Sequence, residues 1–304
     1  MRILIAGHKD RGIQCLRRLA SSRHSIVGTI AHPSEGASPS SFSLAAHELG
    51  LTVFETANPS EPAVAAELST RGPDLVILAG YGPIVRQSFI DIAPMGCVNL
   101  HAGRLPQYRG SSPLNWALLR DEQSFTLSII QVDAGVDTGD VMLERTFPIG
   151  QDDTIVDLHR TANSEFPEML TNLLDQLERG VVTRRRQEES LAAYYPLRFP
   201  EDGVIFWDQM TALQIHNTIR ALTSPYPCAF TFYQNRRVKL LRSRLRETPF
   251  HGEPGRIYRI STESLLIAAS DCCLWITKAV FDGSEEPVCD AARRYEKFAT
   301  IQSV

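Results

Sequence analysis

The chain has 304 residues and a formal net charge of −4 at pH 7. It is long enough for two domains, and this charge gives no general reason to expect nucleic-acid binding. It contains no run of about 18 apolar residues, so no membrane-spanning helix is expected. The six cysteines are scattered without the spacing of metal ligands, which is typical of a reduced protein and predicts a cytoplasmic location.

The beginning of the chain has the pattern of a strand, a helix and a second strand. Residues 3–6 form a short apolar run, apolar residues then recur at helical spacing over 13–19, and residues 25–30 are strand-like again. Such a βαβ unit predicts a parallel sheet with a right-handed crossover. The turn at 7–12 has neither a P-loop ending nor a G-x-G-x-x-G pattern, so it is interpreted as an ordinary βα turn.

Three polar side chains stand where predicted strands end. Asn99 and His101 are two residues apart after an apolar run, so on a strand they point to the same face. Asp137 follows the strand-like run 126–132. An amide beside an imidazole can stabilise an oxyanion and move a proton, and a nearby carboxylate orients the imidazole. A core histidine with a turn asparagine is the alternative interpretation, because N-x-H alone is a short pattern.

The stretch around these residues resembles the folate-dependent formyltransferases. That family shows N-x-H, S-L-L-P-x-Y-R-G, S/A-P-x-x-W-A-I and D-x-G-x-D-T-G-D in this order. The matching residues are 99–101, 105–110, 112–117 and 133–140. Gly103 and Arg104 stand where the family commonly has Ser-Leu. The resemblance implies an α/β, Rossmann-like catalytic domain that takes 10-formyltetrahydrofolate as co-substrate and needs no metal.

The resemblance also implies roles for individual residues. The catalytic residues would be Asn99, His101 and Asp137. The loops that hold the pterin ring correspond to Tyr81, Gly82, Pro83 and Ile84, and to Val132, Asp133, Ala134, Gly135 and Val136. The acceptor-binding residues correspond to Gly103, Arg104, Tyr108, Arg109 and Gly110. In the implied reaction an amine attacks the formyl carbon, and the catalytic residues stabilise the oxyanion and move the proton.

A long helix is predicted after these motifs. Apolar residues recur near helical spacing from 155 to 177, and Gly180 ends the pattern. Pro167 lies inside the pattern and should kink or break the helix. Residues 181–200 are interpreted as a connector, in which the arginines at 184–186 form a solvated face.

The C-terminal part predicts a small β-barrel. Segments 199–207 and 215–230 resemble the start of the C-terminal domain of two-domain formyltransferases, with Cys228 in place of the usual glycine. The family has an OB-like barrel here, and short strand-like runs between turns agree with it. These runs are 230–233, 238–241, 255–260, 265–268 and 274–279. The predicted domains are 1–200, catalytic and including the connector, and 201–304, the OB-like barrel.

The leading hypothesis for the acceptor is an amino-deoxy sugar linked to a nucleotide. The segment at 198–207 is closer to the formyltransferase domain that modifies UDP-4-amino-4-deoxy-L-arabinose, and similar sugar enzymes are often homodimers. Methionyl-tRNA formyltransferases carry a basic insertion near the loop at 34–41. Here no Lys or Arg occurs from residue 24 to residue 70, although phosphate contacts supply much of the affinity for tRNA.

Other acceptors and one non-catalytic class stay open. Methionyl-tRNA is supported by the chain length and by a basic cluster on the predicted barrel. Its members are Arg236, Arg237, Lys239, Arg242, Arg244 and Arg246. A hydroxyornithine-type siderophore precursor would fit the same fold. A scaffold protein without activity is disfavoured because Asn99, His101 and Asp137 are all present.

Overall fold

The computed structural model describes residues 1–33, 39–284 and 286–301. Residues 34–38, in the loop predicted to lack cationic contacts, lie outside this description. The described strands are β1 (Arg2–Gly7), β2 (Ser25–Ala31), β3 (Val53–Glu55), β4 (Leu75–Ala79), β5 (Cys97–His101), β6 (Arg109–Gly110), β7 (Ser124–Gln131), β8 (Val141–Pro148), β9 (Tyr194–Tyr195), β10 (Ala229–Tyr233), β11 (Arg236–Arg244), β12 (Ile257–Ile260), β13 (Leu265–Ala268) and β14 (Cys273–Phe281). The described helices are α1 (Lys9–Ala20), α2 (Ser41–Glu48), α3 (Pro62–Ser69), α4 (Gln87–Ile90), α5 (Pro113–Leu119), α6 (Ile155–Arg179), α7 (Ala212–Leu222) and α8 (Val288–Ala291).

The first of two compact units contains Met1–Pro113, Phe125–Phe147 and Arg160–Tyr195. It is built on a seven-stranded sheet in the order β3-β2-β1-β4-β5-β7-β8. The five strands from β3 to β5 run parallel, and β7 is antiparallel to β5. Every residue of β4 is buried, as expected for a parallel strand that is covered on both faces. The predicted βαβ unit is confirmed, since α1 connects the parallel pair β1 and β2.

Helix α6 is continuous through Pro167, so the proline does not break the helix, and the kink predicted as the other outcome stays a prediction. A proline inside a helix removes one hydrogen bond and costs about 3 kcal/mol. One stripe of α6 is fully buried on both sides of the proline, including Phe166, Met169 and Leu170. Burial of one such side chain contributes roughly 1.5–3 kcal/mol. The packing of this stripe therefore outweighs the cost of the proline.

The second unit contains Leu114–Ser124, Pro148–His159 and the chain from Pro196 onward. Its five-stranded sheet has the order β10-β11-β14-β13-β12, with antiparallel neighbours throughout. Helix α7 begins at a capping box, in which Thr211 and Gln214 satisfy each other's backbone N–H groups. The core of the unit includes Trp207, Ile219 and Phe281.

The predicted fold class, a Rossmann-like α/β part followed by a small β domain, is confirmed by the parallel-rich and antiparallel sheets. β11 is longer than its predicted run because it continues into polar residues at both ends, from Arg236 to Arg244. β14 is longer than its predicted run by Cys273, Val280 and Phe281. The domain boundary predicted at residue 200 stays a prediction. No helix in the described ranges is long and apolar enough to cross a membrane, and the cytoplasmic location stays a prediction.

Candidate active site

Strand β5 presents Asn99 and His101 at its carboxyl end. Asn99 pairs with Leu78 of β4 and with Ile130 of β7, which fixes the strand on both sides. The two side chains share one face because they are two residues apart on a strand. Asn99 is half-buried and His101 is buried, with 6% of its surface exposed. A site at the carboxyl end of a parallel strand agrees with the general position of ligand sites in open α/β sheets.

Asp137 reaches these two residues from the loop after β7. Its Oδ1 accepts a hydrogen bond from Asn99 Nδ2 at 3.4 Å, and its Oδ2 lies 3.5 Å from His101 Nδ1. Oδ2 also accepts a hydrogen bond from the backbone N–H of Gly110 at 2.9 Å. The structure therefore brings together the three side chains that the sequence predicts to be catalytic.

The hydrogen bond between His101 and the backbone of Tyr108 indicates which ring nitrogen of the imidazole carries a proton. Nε2 lies 2.6 Å from the carbonyl oxygen of Tyr108. A carbonyl oxygen only accepts, so Nε2 carries a proton, and Nδ1 is the nitrogen that can take up or release another beside Asp137. A Cβ at Gly103 would lie 2.6 Å from Nε2 and 2.9 Å from the Tyr108 carbonyl oxygen. The glycine thus makes room for this hydrogen bond.

A cavity of about 430 Å³ opens next to these three residues. Both loops predicted to hold the pterin line it, and the only member of the prediction that does not is Ala134. The lining residues from the prediction are Tyr81, Gly82, Pro83, Ile84, Val132, Asp133, Gly135 and Val136. Ile84 and Val136 are exposed by 78% and 46%. Exposed apolar groups and backbone at such a cavity suit a flat, partly apolar ring, and contact of these residues with folate stays a prediction.

Of the residues predicted to bind the acceptor, only Gly110 lines this cavity. Arg104 is exposed, and the buried ring of Tyr108 stacks on Tyr195 at a centroid distance of 5.0 Å. Arg109 is 1% exposed and contacts protein groups described below. The acceptor-binding role of this set stays a prediction.

Sequence reasoning missed Gln187, which lies in the connector and is buried. It has no motif and no periodic neighbours, so no signal in the sequence points to it. Its side-chain amide donates hydrogen bonds to the carbonyl oxygens of Asp137 at 2.8 Å and Gly139 at 2.7 Å. Gln187 therefore contacts the loop of the candidate catalytic aspartate.

Elsewhere in the described ranges, three side chains of the types that bind metal ions lie close together. The group consists of His24, Asp175 and Glu178. Arg23 donates to both carboxylates, at 2.6 Å and 2.5 Å. The carboxylates are thus paired with a cation of the protein itself.

Comparison with known proteins gives two family matches. Residues 2–174 match the model described as formyl transferase, and residues 199–291 match the model described as formyl transferase, C-terminal domain. The chain is 31% identical over 290 residues to a methionyl-tRNA formyltransferase of Geobacter sulfurreducens, which covers 93% of this chain and 90% of the relative.

Two solved structures share the fold. One is the N-formyltransferase of Helicobacter canadensis in complex with folinic acid and dTDP-3-aminofucose, with a TM-score of 0.73, 19% identity and coverage of 91% and 99% of the two chains. The other is HypX of Aquifex aeolicus with tetrahydrofolic acid, with a TM-score of 0.66 and 22% identity. The match covers 94% of this chain but only 45% of HypX.

Proposed function

The chain belongs to the formyl transferase family and is a folate-dependent formyltransferase, and on this premise we propose that its acceptor is the amine of methionyl-tRNA. The observation that carries the proposal is the extent of the relationship to a methionyl-tRNA formyltransferase, 31% identity across nine-tenths of both chains. The sugar enzyme of Helicobacter canadensis shares the fold at 19% identity. The closer relationship therefore favours tRNA over the amino sugar that leads the hypotheses from sequence.

An unpaired basic face on the second unit supports this acceptor. Along β11, Arg236 pairs with Glu286, and Arg237 and Lys239 lie at 3.6 Å and 2.6 Å from Asp282. Beyond Leu240 the register of β11 against β14 shifts. The cations in the second half of β11, after this shift, differ from these three in their surroundings.

Arg242 and Arg244 are exposed after this shift, and they stand opposite Lys278 and Trp275 of β14. Directly opposite residues of an antiparallel pair share a face. Within the described ranges no carboxylate forms an ion pair with these three cations. Unpaired cations beside a half-exposed aromatic ring suit a phosphate backbone and an unstacked base.

The proposed mechanism assigns one task to each of the three residues at the cavity. The acceptor nitrogen attacks the formyl carbon, a C–N bond forms, and negative charge develops on the formyl oxygen. Asn99 donates a hydrogen bond to that oxygen, and removal of such a donor typically costs about 3 kcal/mol of barrier. His101 takes the amine proton on Nδ1, since Nε2 is bound to Tyr108. Asp137 stabilises the imidazolium, which then protonates the departing folate nitrogen as its bond to the formyl carbon breaks.

A nucleotide-linked amino sugar is the second candidate acceptor. It is favoured by the absence of Lys and Arg from residue 24 to residue 70 of the sequence, where a tRNA-binding insertion would supply cations. The homodimer implied by similar sugar enzymes belongs to this candidate and stays a prediction.

A paired assay tests both acceptors. Wild-type protein and 10-formyltetrahydrofolate are incubated with methionyl-tRNA in one arm and with nucleotide-linked 3-amino and 4-amino sugars in the other, and product mass is read out. A formyl group on methionyl-tRNA alone is the expected result. Formylation of a sugar nucleotide alone would overturn the proposed acceptor, and silence in both arms would direct the search to small amines such as a hydroxyornithine.

A further inference from the structure

The side-chain amide of Gln187 contacts two segments of the site. Its nitrogen donates to the carbonyl oxygens of Asp137 and Gly139. Its oxygen accepts the Nε–H of Arg109 at 3.0 Å. Because an amide nitrogen has two hydrogens, both of its donors act on the loop that carries Asp137.

Arg109 is fixed from the other side by the same connector. Its guanidinium donates bidentate hydrogen bonds to the two carboxylate oxygens of Glu189, at 3.0 Å and 2.9 Å. It also donates to the hydroxyl of Tyr194 at 2.8 Å. The backbone pairs as well, since β6 lies parallel to β9 with Arg109 opposite Tyr194. A bidentate pair of guanidinium and carboxylate has a defined geometry as well as strength. Arg109 therefore holds the oxygen of Gln187 at a fixed place.

The loop that Gln187 contacts adopts a backbone that needs support. Asp137 has a φ of 54°, a left-handed conformation that is unfavourable for residues other than glycine, although aspartate and asparagine visit it. A Cβ at Gly139 would lie 1.8 Å from the carbonyl oxygen of Gln131, so the loop passes very close to β7. The two hydrogen bonds from Gln187 to carbonyl oxygens of this loop favour the observed backbone conformation over other conformations of the loop.

We infer that Gln187 is a positioning residue of formyl transfer, which holds the backbone of Asp137 so that its carboxylate meets His101 and the N–H of Gly110. Arg109 acts at both ends of this arrangement. Its side chain orients Gln187, and the next residue, Gly110, binds the carboxylate itself at 2.9 Å. The inference rests on the catalytic role of Asp137 within the proposed function.

The test compares Gln187→Leu and Gln187→Glu with wild type and with Gln176→Leu. Gln187→Glu keeps the shape and the acceptor for Arg109 but removes both donors to the loop. Gln176 lies on α6 and contacts Asn172, so its replacement is the same chemical change away from the site. For both Gln187 variants we expect kcat to fall on the order of 100-fold, as for a misplaced catalytic group, with an unchanged KM for 10-formyltetrahydrofolate. Gln176→Leu should match wild type.

Crystal structures of the variants give a readout that does not depend on the acceptor. We expect Asp137 Oδ2 to leave the Gly110 N–H in Gln187→Glu, while β6 and β9 stay paired. An unchanged kcat in a folded Gln187→Glu, or an unchanged Asp137 carboxylate in its structure, would overturn the inference. If wild type formylates neither acceptor, the proposed function fails, and the position of Asp137 in the variant structures still decides the role of Gln187.

Discussion

Strands β6 and β11 use arginine in opposite ways. Arg109 is 1% exposed and donates to Gln187, Glu189 and Tyr194. Arg242 and Arg244 are exposed, and among the described residues no carboxylate pairs with them. A guanidinium that is desolvated and hydrogen-bonded on all three nitrogens fixes the groups around it, whereas a solvated one stays available for a ligand. The residue type alone does not tell these two roles apart; burial and partners do.

The largest effect is expected at Asp137, whose loop Arg109 contacts indirectly through Gln187. Asp137→Asn keeps a side chain that tolerates a φ of 54°, but it removes the charge beside His101. We expect formyl transfer to fall by about 10²–10⁴-fold, the usual contribution of acid–base catalysis. Single-turnover kinetics, with the acceptor identified in the paired assay, measure this loss of rate. Wild-type turnover in this variant would remove Asp137 from the mechanism.

Arg109→Met should destabilise the fold more than replacement of an exposed arginine of β11. It keeps the buried stem but leaves Gln187 without its donor, and we expect a loss of roughly 3 kcal/mol in the free energy of unfolding. Arg242→Met is the matched control and should stay within about 0.5 kcal/mol of wild type, as for other exposed residues. Urea unfolding followed by circular dichroism gives both values. Equal losses in the two variants would contradict the distinction drawn between the arginines.

Arg242→Met and Arg244→Met should instead weaken binding of methionyl-tRNA. Each phosphate contact that is lost should reduce the slope of log affinity against log salt by about one. Filter binding over a salt series measures the slope, and Arg236→Met is the control, because Arg236 already pairs with Glu286 at 2.7 Å. A slope that changes as much in Arg236→Met would show that the unpaired face is not the binding surface.

The smallest effect is expected in the pH dependence of stability. Hydrogen bonds from the Arg109 guanidinium lower the pKa of Glu189 from its ordinary value of 4.5. The unfolded chain therefore binds a proton at a higher pH than the folded chain, so the pair stabilises the fold above that ordinary value and the contribution is lost as the pH falls through the lowered pKa. Glu189→Gln should be less stable than wild type at neutral pH, and the gap should close in acid. Urea unfolding across this range checks it.

The fold class and the three residues at the cavity could be predicted from the sequence because their signals are local. Asn99 and His101 are two apart at a strand end, and Asp137 lies in a motif of its own. The contacts of Arg109 could not be predicted, because Glu189 and Gln187 lie far along the chain in a segment without periodicity. Pro167 shows the same limit, since the packing that keeps α6 continuous is a tertiary property.

The pairing of β6 with β9 limits how the gene could be recombined. A fragment that ended at Arg179, with α6, would contain the whole seven-stranded sheet as well as Asn99, His101 and Asp137. It would lack Gln187, Glu189 and Tyr194, so the partners of Arg109 would be lost together. An exchange that keeps Arg109 with its own partners would therefore place its crossover after Tyr195. Chimeras joined before Gln187 would inherit the candidate catalytic side chains from one parent and Gln187, Glu189 and Tyr194 from the other.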